Sequence, residues 1–124
     1  MIALDSSSLI AYLSGSKGAD VDAVDLALSQ KQAVLPPVVL SELLSDPKLS
    51  PATSQIFKEL PLLAVMDGYW ERVGTLRCDV IRRRRRAPLA DALIAQSCID
   101  HDLPLITRDA DFRNFRHAGL RIAV

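Results

Sequence analysis

Two cysteines, Cys78 and Cys98, in a chain of 124 residues are too few for a disulfide framework, and they show no metal-site spacing. A reducing, cytoplasmic setting is therefore expected. Aromatic residues make up only 5 % of the chain, so extensive base stacking is not an expected mode of recognition. No apolar run approaches the roughly 20 residues of a membrane span. The first residues also lack the basic-then-apolar order of a secretory signal peptide. Lysine stops at Lys58, which argues against a phospho-accepting receiver domain, since that would place a lysine near its last strands. No Gly-x-Ser-x-Gly elbow supports a serine hydrolase. Asp5-Ser6-Ser7 stands where a haloacid-dehalogenase-type phosphatase would carry Asp-x-Asp. His101 and His117 have no partner at metal-ligand spacing and read as surface residues.

Net charge is also absent, with 15 basic against 15 acidic residues, so bulk charge points to no partner. The distribution is more informative. Arg82 to Arg86 form an unbroken run of five arginines. Guanidinium forks match phosphate and carboxylate bidentately. The run is a candidate track for a nucleic-acid backbone, although a solvated helix end facing the negative C-terminal dipole explains it equally well. The remaining composition, 49 % apolar and 24 % charged, is that of a globular chain, and the length fits one domain over residues 1–124 that can bury a core.

Short apolar stretches alternate with segments of helical spacing. Strands are expected at 1–4, 33–35, 61–66, 103–107 and 120–124. Ser6, Ser7 or Ser8 is placed to cap a helix through Leu13, and further helices are expected over 20–30, 38–45 and from Ser50. Asp67 is placed to cap a long helix that runs into the arginines. Pro88 is placed to open a helix through about His101. Strands alternating with helices predict an α/β fold whose mainly parallel sheet is covered on both faces. In such sheets ligands bind outside the carboxyl ends of the strands.

Carboxylates gather in the sequence at those ends. Asp5 follows the first strand, Asp109 and Asp111 follow the fourth in LITRDADF, Glu42 lies on the helix after the second, and Asp91 lies in APLADALIAQ. Each has an ordinary explanation. Asp5 could cap a helix, Glu42 shares a polar face with Ser41, Ser45 and Asp46, and Asp109 and Asp111 suit a turn. Asp91 resists such an account, because Leu89, Ala90, Ala92, Leu93 and Ile94 surround it with apolar residues. A dipole gain of roughly 0.3–1 kcal/mol does not offset the several kcal/mol cost of an unpaired buried carboxylate. Acids sharing one site repel unless a cation joins them. Hard oxygen ligands select Mg²⁺ or Mn²⁺, the ions of phosphoryl-transfer chemistry.

The ordered stretches IALDSSSLIAYL, VLPPVVLSELL, APLADALIAQSCIDHDLPLITRDADF and GLRIAV resemble the PIN domain, most of all the toxin ribonucleases of VapBC-type toxin–antitoxin modules. The resemblance implies a small α/β/α sandwich with a sheet of about five short strands and Mg²⁺- or Mn²⁺-dependent endonucleolytic cleavage of RNA. By position it makes Asp5, Glu42, Asp91 and Asp109 the catalytic acids and Asp5, Asp91 and Asp109 metal ligands. Asp111, beside Phe112, is a fifth metal-site acid or a substitute for Asp109. Ser7 and Thr107 are implied as supporting residues; if the substrate is RNA, Arg82, Arg83, Arg84, Arg85 and Arg86 would track its backbone, with the solvated helix end as the equal alternative. One departure is the solid arginine run, where relatives often have a glycine among scattered charges. The resemblance further implies a cognate antitoxin, a homodimer and a heterotetramer or larger assembly with that antitoxin. A PIN nuclease outside such modules, or a PIN-like binding module without activity, is the alternative.

Overall fold

The computed structural model describes residues 1–124. Three strands, β1 (Ile2–Leu4), β2 (Ala33–Val34) and β3 (Leu105–Ile106), form a parallel sheet in the order β2-β1-β3. Ile2 pairs with Ala33 and Ala3 with Val34, while on the other side Ala3 pairs with Leu105 and Leu4 with Ile106. Successive residues of a strand point to opposite faces. Ala3, Leu4, Ala33, Val34, Leu105 and Ile106 are nonetheless all buried, so both faces of the sheet are covered. This is the α/β arrangement expected from the apolar, non-alternating strands.

Seven helical segments provide that cover: α1 (Ser6–Leu13), α2 (Ala19–Ser29), α3 (Pro37–Leu44), α4 (Pro51–Glu59), α5 (Tyr69–Arg82), α6 (Leu89–Asp100) and a 3₁₀ helix (Ala110–Ala118). The core joins the strands to Leu9, Val24, Val39, Val80, Ile94 and all three phenylalanines, Phe57, Phe112 and Phe115. Two contacts lock α5 to α6. The Tyr69 hydroxyl donates to the Leu93 carbonyl at 2.6 Å, and the Arg72 guanidinium grips both oxygens of Asp100 at 2.9 and 2.6 Å.

The structure revises several local expectations. The stretches at 61–66 and 120–124 each reach the sheet through a single parallel bridge, Leu35 with Leu62 and Leu105 with Ile122. They therefore extend the sheet at its two edges without forming full strands. Val65 and Met66 are exposed, so the first stretch leaves the sheet after Leu63. Asp67 does not cap α5. Gly68 takes that position at φ 78°, in the left-handed region open to glycine, and the Asp67 carbonyl accepts instead from Arg72. Pro88 lies just before the first helical residue of α6. The cap of α1 is Asp5, and the three serines form the first turn. The 3₁₀ helix has no counterpart in the sequence reading.

Candidate metal centre

β1 and β3 are parallel neighbours, so their carboxyl ends lie side by side and place Asp5 near Thr107 and Asp109. Asp5 occupies the cap position of α1 (φ −85°, ψ 152°), yet its side chain makes no capping bond. The Ser7 hydroxyl instead donates to Asp5 Oδ2 at 2.6 Å and the Thr107 hydroxyl donates to the same oxygen at 2.7 Å. Asp5 is 4 % exposed. With Oδ2 doubly bonded, Oδ1 is left without a protein partner.

Thr107 is a junction. Its oxygen also accepts from the Asp109 backbone N–H at 3.1 Å and lies 3.3 Å from Ser7 Oγ. One hydroxyl thus joins the first acid to the loop carrying the last ones. Asp109 caps the 3₁₀ helix, its Oδ1 accepting from the Asp111 N–H at 2.9 Å. The turn explanation for Asp109 is therefore correct as local structure, and the same geometry sets Asp111 beside it.

Asp91 enters from α6. Pro88 breaks the chain just before Leu89, so Asp91 falls in the first helical turn, while Ala92, Ile94, Ala95 and Cys98 bury the helix behind it. Carboxylate oxygens of Asp91, Asp109 and Asp111 all lie within 4.8 Å of one another. Burial first, then the negative charges of Asp109, Asp5, Asp111 and Glu42, push the Asp91 carboxyl up to about 7. Five acids drawn from four separate stretches therefore share one electrostatic environment. Glu42 stands at the rim of the group. It is exposed, its Oε1 accepts from the Ser6 hydroxyl at 3.3 Å, and partial burial followed by the Asp5 charge raises its pKa.

Of the four expected metal ligands, three come within joint ligand reach. Asp5 lies outside that trio, its Oδ2 fixed by two hydroxyl donors. The donor set fits a hard divalent ion. It is all carboxylate, and oxygens bound about 2.1 Å from a common Mg²⁺ stand roughly 3–4 Å apart, so small side-chain rotations would close the trio. The ion would relieve the repulsion that raises the Asp91 pKa.

Three residues outside the predicted set brace this centre. Arg108 follows Thr107 and grips buried Asp20 with Nε at 2.8 Å and Nη2 at 3.0 Å, while the Ser8 hydroxyl donates to Asp20 at 2.8 Å. The Arg108 guanidinium, together with Ser8, holds Asp20 at about 2 against the effect of burial. This pair fastens the β3 loop to α1 and α2. Its signal in the sequence was weak, since Asp20 and Arg108 are 88 positions apart. The histidines stay away from the acids: His101 Nε2 lies 2.8 Å from the Ala64 carbonyl and His117 Nε2 lies 2.6 Å from Asp79 Oδ2.

The arginine run does not form one surface. Arg82 ends α5, Arg83 pairs with Asp79 at 3.4 Å, and Arg84 turns the chain at φ 60°. Arg86 returns toward the acids, with Nε 3.8 Å from Asp111 Oδ2. No helix is long and apolar enough to cross a membrane. No curated protein matches the chain. A PIN domain model matches residues 2–118, nearly the full length, and the chain belongs to the PIN domain family, whose members are generally nucleases that bind divalent metals.

Proposed function

We propose that this chain is a Mg²⁺- or Mn²⁺-dependent endoribonuclease and the toxin of a VapBC-type toxin–antitoxin module, acting in the cytoplasm. The observation that carries the nuclease reading is the approach of Asp91, Asp109 and Asp111 to within 4.8 Å at the carboxyl edge of a parallel sheet. In this reading Asp91, Asp109 and Asp5 Oδ1 hold the ion, with Asp111 as a fourth ligand. A hard divalent ion there supplies Lewis-acid stabilisation of phosphate charge and lowers the pKa of a water. Glu42, at the rim and raised in pKa, orients or deprotonates the attacking water. Ser7 and Thr107 are positioning residues, fixing Asp5 through its Oδ2. Hydrolysis in line would leave a 5′-phosphate and a 3′-hydroxyl. Those members of the Arg82–Arg86 run that face the site would contribute affinity for the RNA backbone without choosing sequence.

The toxin assignment rests on the resemblance of the ordered motifs, and it brings with it a cognate antitoxin and a homodimer. All acid positions are filled, which favours an active enzyme over an inactive binding module.

Cleavage of a mixed RNA pool by wild type and Asp91→Asn, with Mg²⁺ or Mn²⁺ and then EDTA, tests the chemistry. Wild type should cut, EDTA should stop it, and the variant should lose at least a hundredfold. Equal cutting by both would place the activity elsewhere. Induced expression should arrest growth with wild type and not with the variant, and a pull-down from native cells should recover a small DNA-binding protein. Failure of these last two tests would remove the toxin role and leave a PIN nuclease of another kind.

A further inference from the structure

The 3₁₀ helix has the sequence ADFRNFRHA, which repeats every three residues. A 3₁₀ helix has 3.0 residues per turn and residues three apart eclipse, so this segment carries three rows of side chains. Phe112 and Phe115 enter the core. Asp111, Asn114 and His117 face the end of α5: Asp111 meets Arg86, the Asn114 amide donates to the Arg86 carbonyl at 3.1 Å, and His117 meets Asp79. The third row is Arg113 and Arg116. Both are exposed, and neither takes part in any ion pair of the structure.

Two cavities meet at that row. One, of about 490 Å³, is lined by Arg108, Arg113 and Arg116 together with Asp109 of the acid cluster, Asp20, Thr107 and five apolar residues, most of them from the C-terminal stretch. The other, of about 230 Å³, is lined by Arg83, Arg85, Arg113, Asn114 and His117, with no carboxylate and no apolar side chain. Arg113 belongs to both. Five acids at the centre repel a polyanion, so a polyanionic substrate needs unpaired cations directly beside them to be held, while an exposed pair such as Arg83–Asp79 farther out can still offer its cation. Arg108 is spent on Asp20. Arg113 and Arg116 are free.

We propose that Arg113 and Arg116 hold the phosphates of single-stranded RNA next to the scissile one, on the Asp109 side of the centre, and that Arg113 passes the strand to Arg83 and Arg85. The path follows the 3₁₀ helix, and of the five-arginine run only alternate members lie on it. This inference rests on the nuclease reading.

The test is fluorescence anisotropy of a labelled single-stranded RNA oligonucleotide in EDTA, where nothing is cut. Wild type is compared with the double variant Arg113→Ala/Arg116→Ala, its Lys/Lys counterpart, and Arg121→Ala, whose residue pairs with exposed Asp102. The Ala double variant should bind at least tenfold more weakly. Its log Kd against log salt should flatten by about 1.4, from two phosphate contacts at roughly 0.7 each for a single strand. The Lys/Lys protein should keep the wild-type slope, and Arg121→Ala should bind as wild type. Coincident curves for wild type and the Ala double variant, an equal loss in Arg121→Ala, or no binding by wild type would overturn the track. Metal-dependent cleavage, lost in Asp91→Asn, reports separately. Unchanged RNA binding with that cleavage intact would sink the track and keep the nuclease. Weakened binding in a protein that cuts nothing would do the reverse.

Discussion

Removing the charge of Asp91 should make the metal-free protein more stable. The Asp91 carboxyl rises from 3.8 to about 7, and one pKa unit corresponds to about 1.36 kcal/mol, so holding it ionised costs at most about 4 kcal/mol. Asp91 is only partly buried, and its neighbours can turn away, which reduces the cost to about 2 kcal/mol. The sign follows from proton counts. Between about pH 4 and 7 the folded chain retains a proton that the unfolded chain has released. Stability therefore falls as pH rises through that window and stays low above it. Asp91→Asn keeps the shape and escapes this loss. In EDTA at pH 8 the variant should unfold about 8 °C higher, at roughly 4 °C per kcal/mol for a chain of this size, and the gap should close toward pH 4. Thermal unfolding of both proteins in EDTA from pH 4 to 8 measures this. Added Mn²⁺ should then raise wild type more than the variant, because binding to the folded state alone stabilises it. A variant no more stable than wild type at pH 8 would mean that neither burial nor the neighbouring acids raise the Asp91 carboxyl in the folded chain.

Two further substitutions test the scaffold. Asp20→Asn breaks the Arg108 clamp and should cost about 2 kcal/mol at pH 7 by urea unfolding, less than a fully buried pair because Arg108 is partly exposed. Since the folded pKa of Asp20 is depressed to about 2, its contribution is present above about pH 4 and disappears as pH falls toward 2. The two proteins should therefore converge in acid, and a gap that persists at pH 2 would refute the account. Thr107→Val removes a donor to Asp5 and an acceptor for the Asp109 N–H. It should lower RNA cleavage at least tenfold and stability by about 1–2 kcal/mol. Full activity in this variant would remove Thr107 from the positioning of Asp5.

The strand at 33–35, the helices around Asp91 and after Ser50, and the positions of Asp5 and Asp109 at strand ends were legible because burial imposes local periodicity and because Pro and Ser terminate helices by local chemistry. The stretches at 61–66 and 120–124 were overread. An apolar run shows that a segment touches the core, and strand length depends on a partner edge that lies far away in the chain. The 3₁₀ helix is not legible as one although its period of three stands in ADFRNFRHA, because two phenylalanines among arginines also suit a loop.

The order of residues supplies the acids, the apolar strands that bring their carriers to one edge, and no His or Cys spacing to rival a hard-metal centre. Those are properties of residue type and local spacing. Packing selects which acids come within ligand reach, fixes Asp5 through Ser7 and Thr107, and clamps Asp20 on Arg108. It also divides the five arginines among different surfaces and leaves Arg113 and Arg116 unpaired. Each of these depends on distances between residues tens of positions apart, which the packing of helices on the sheet fixes and no local pattern encodes.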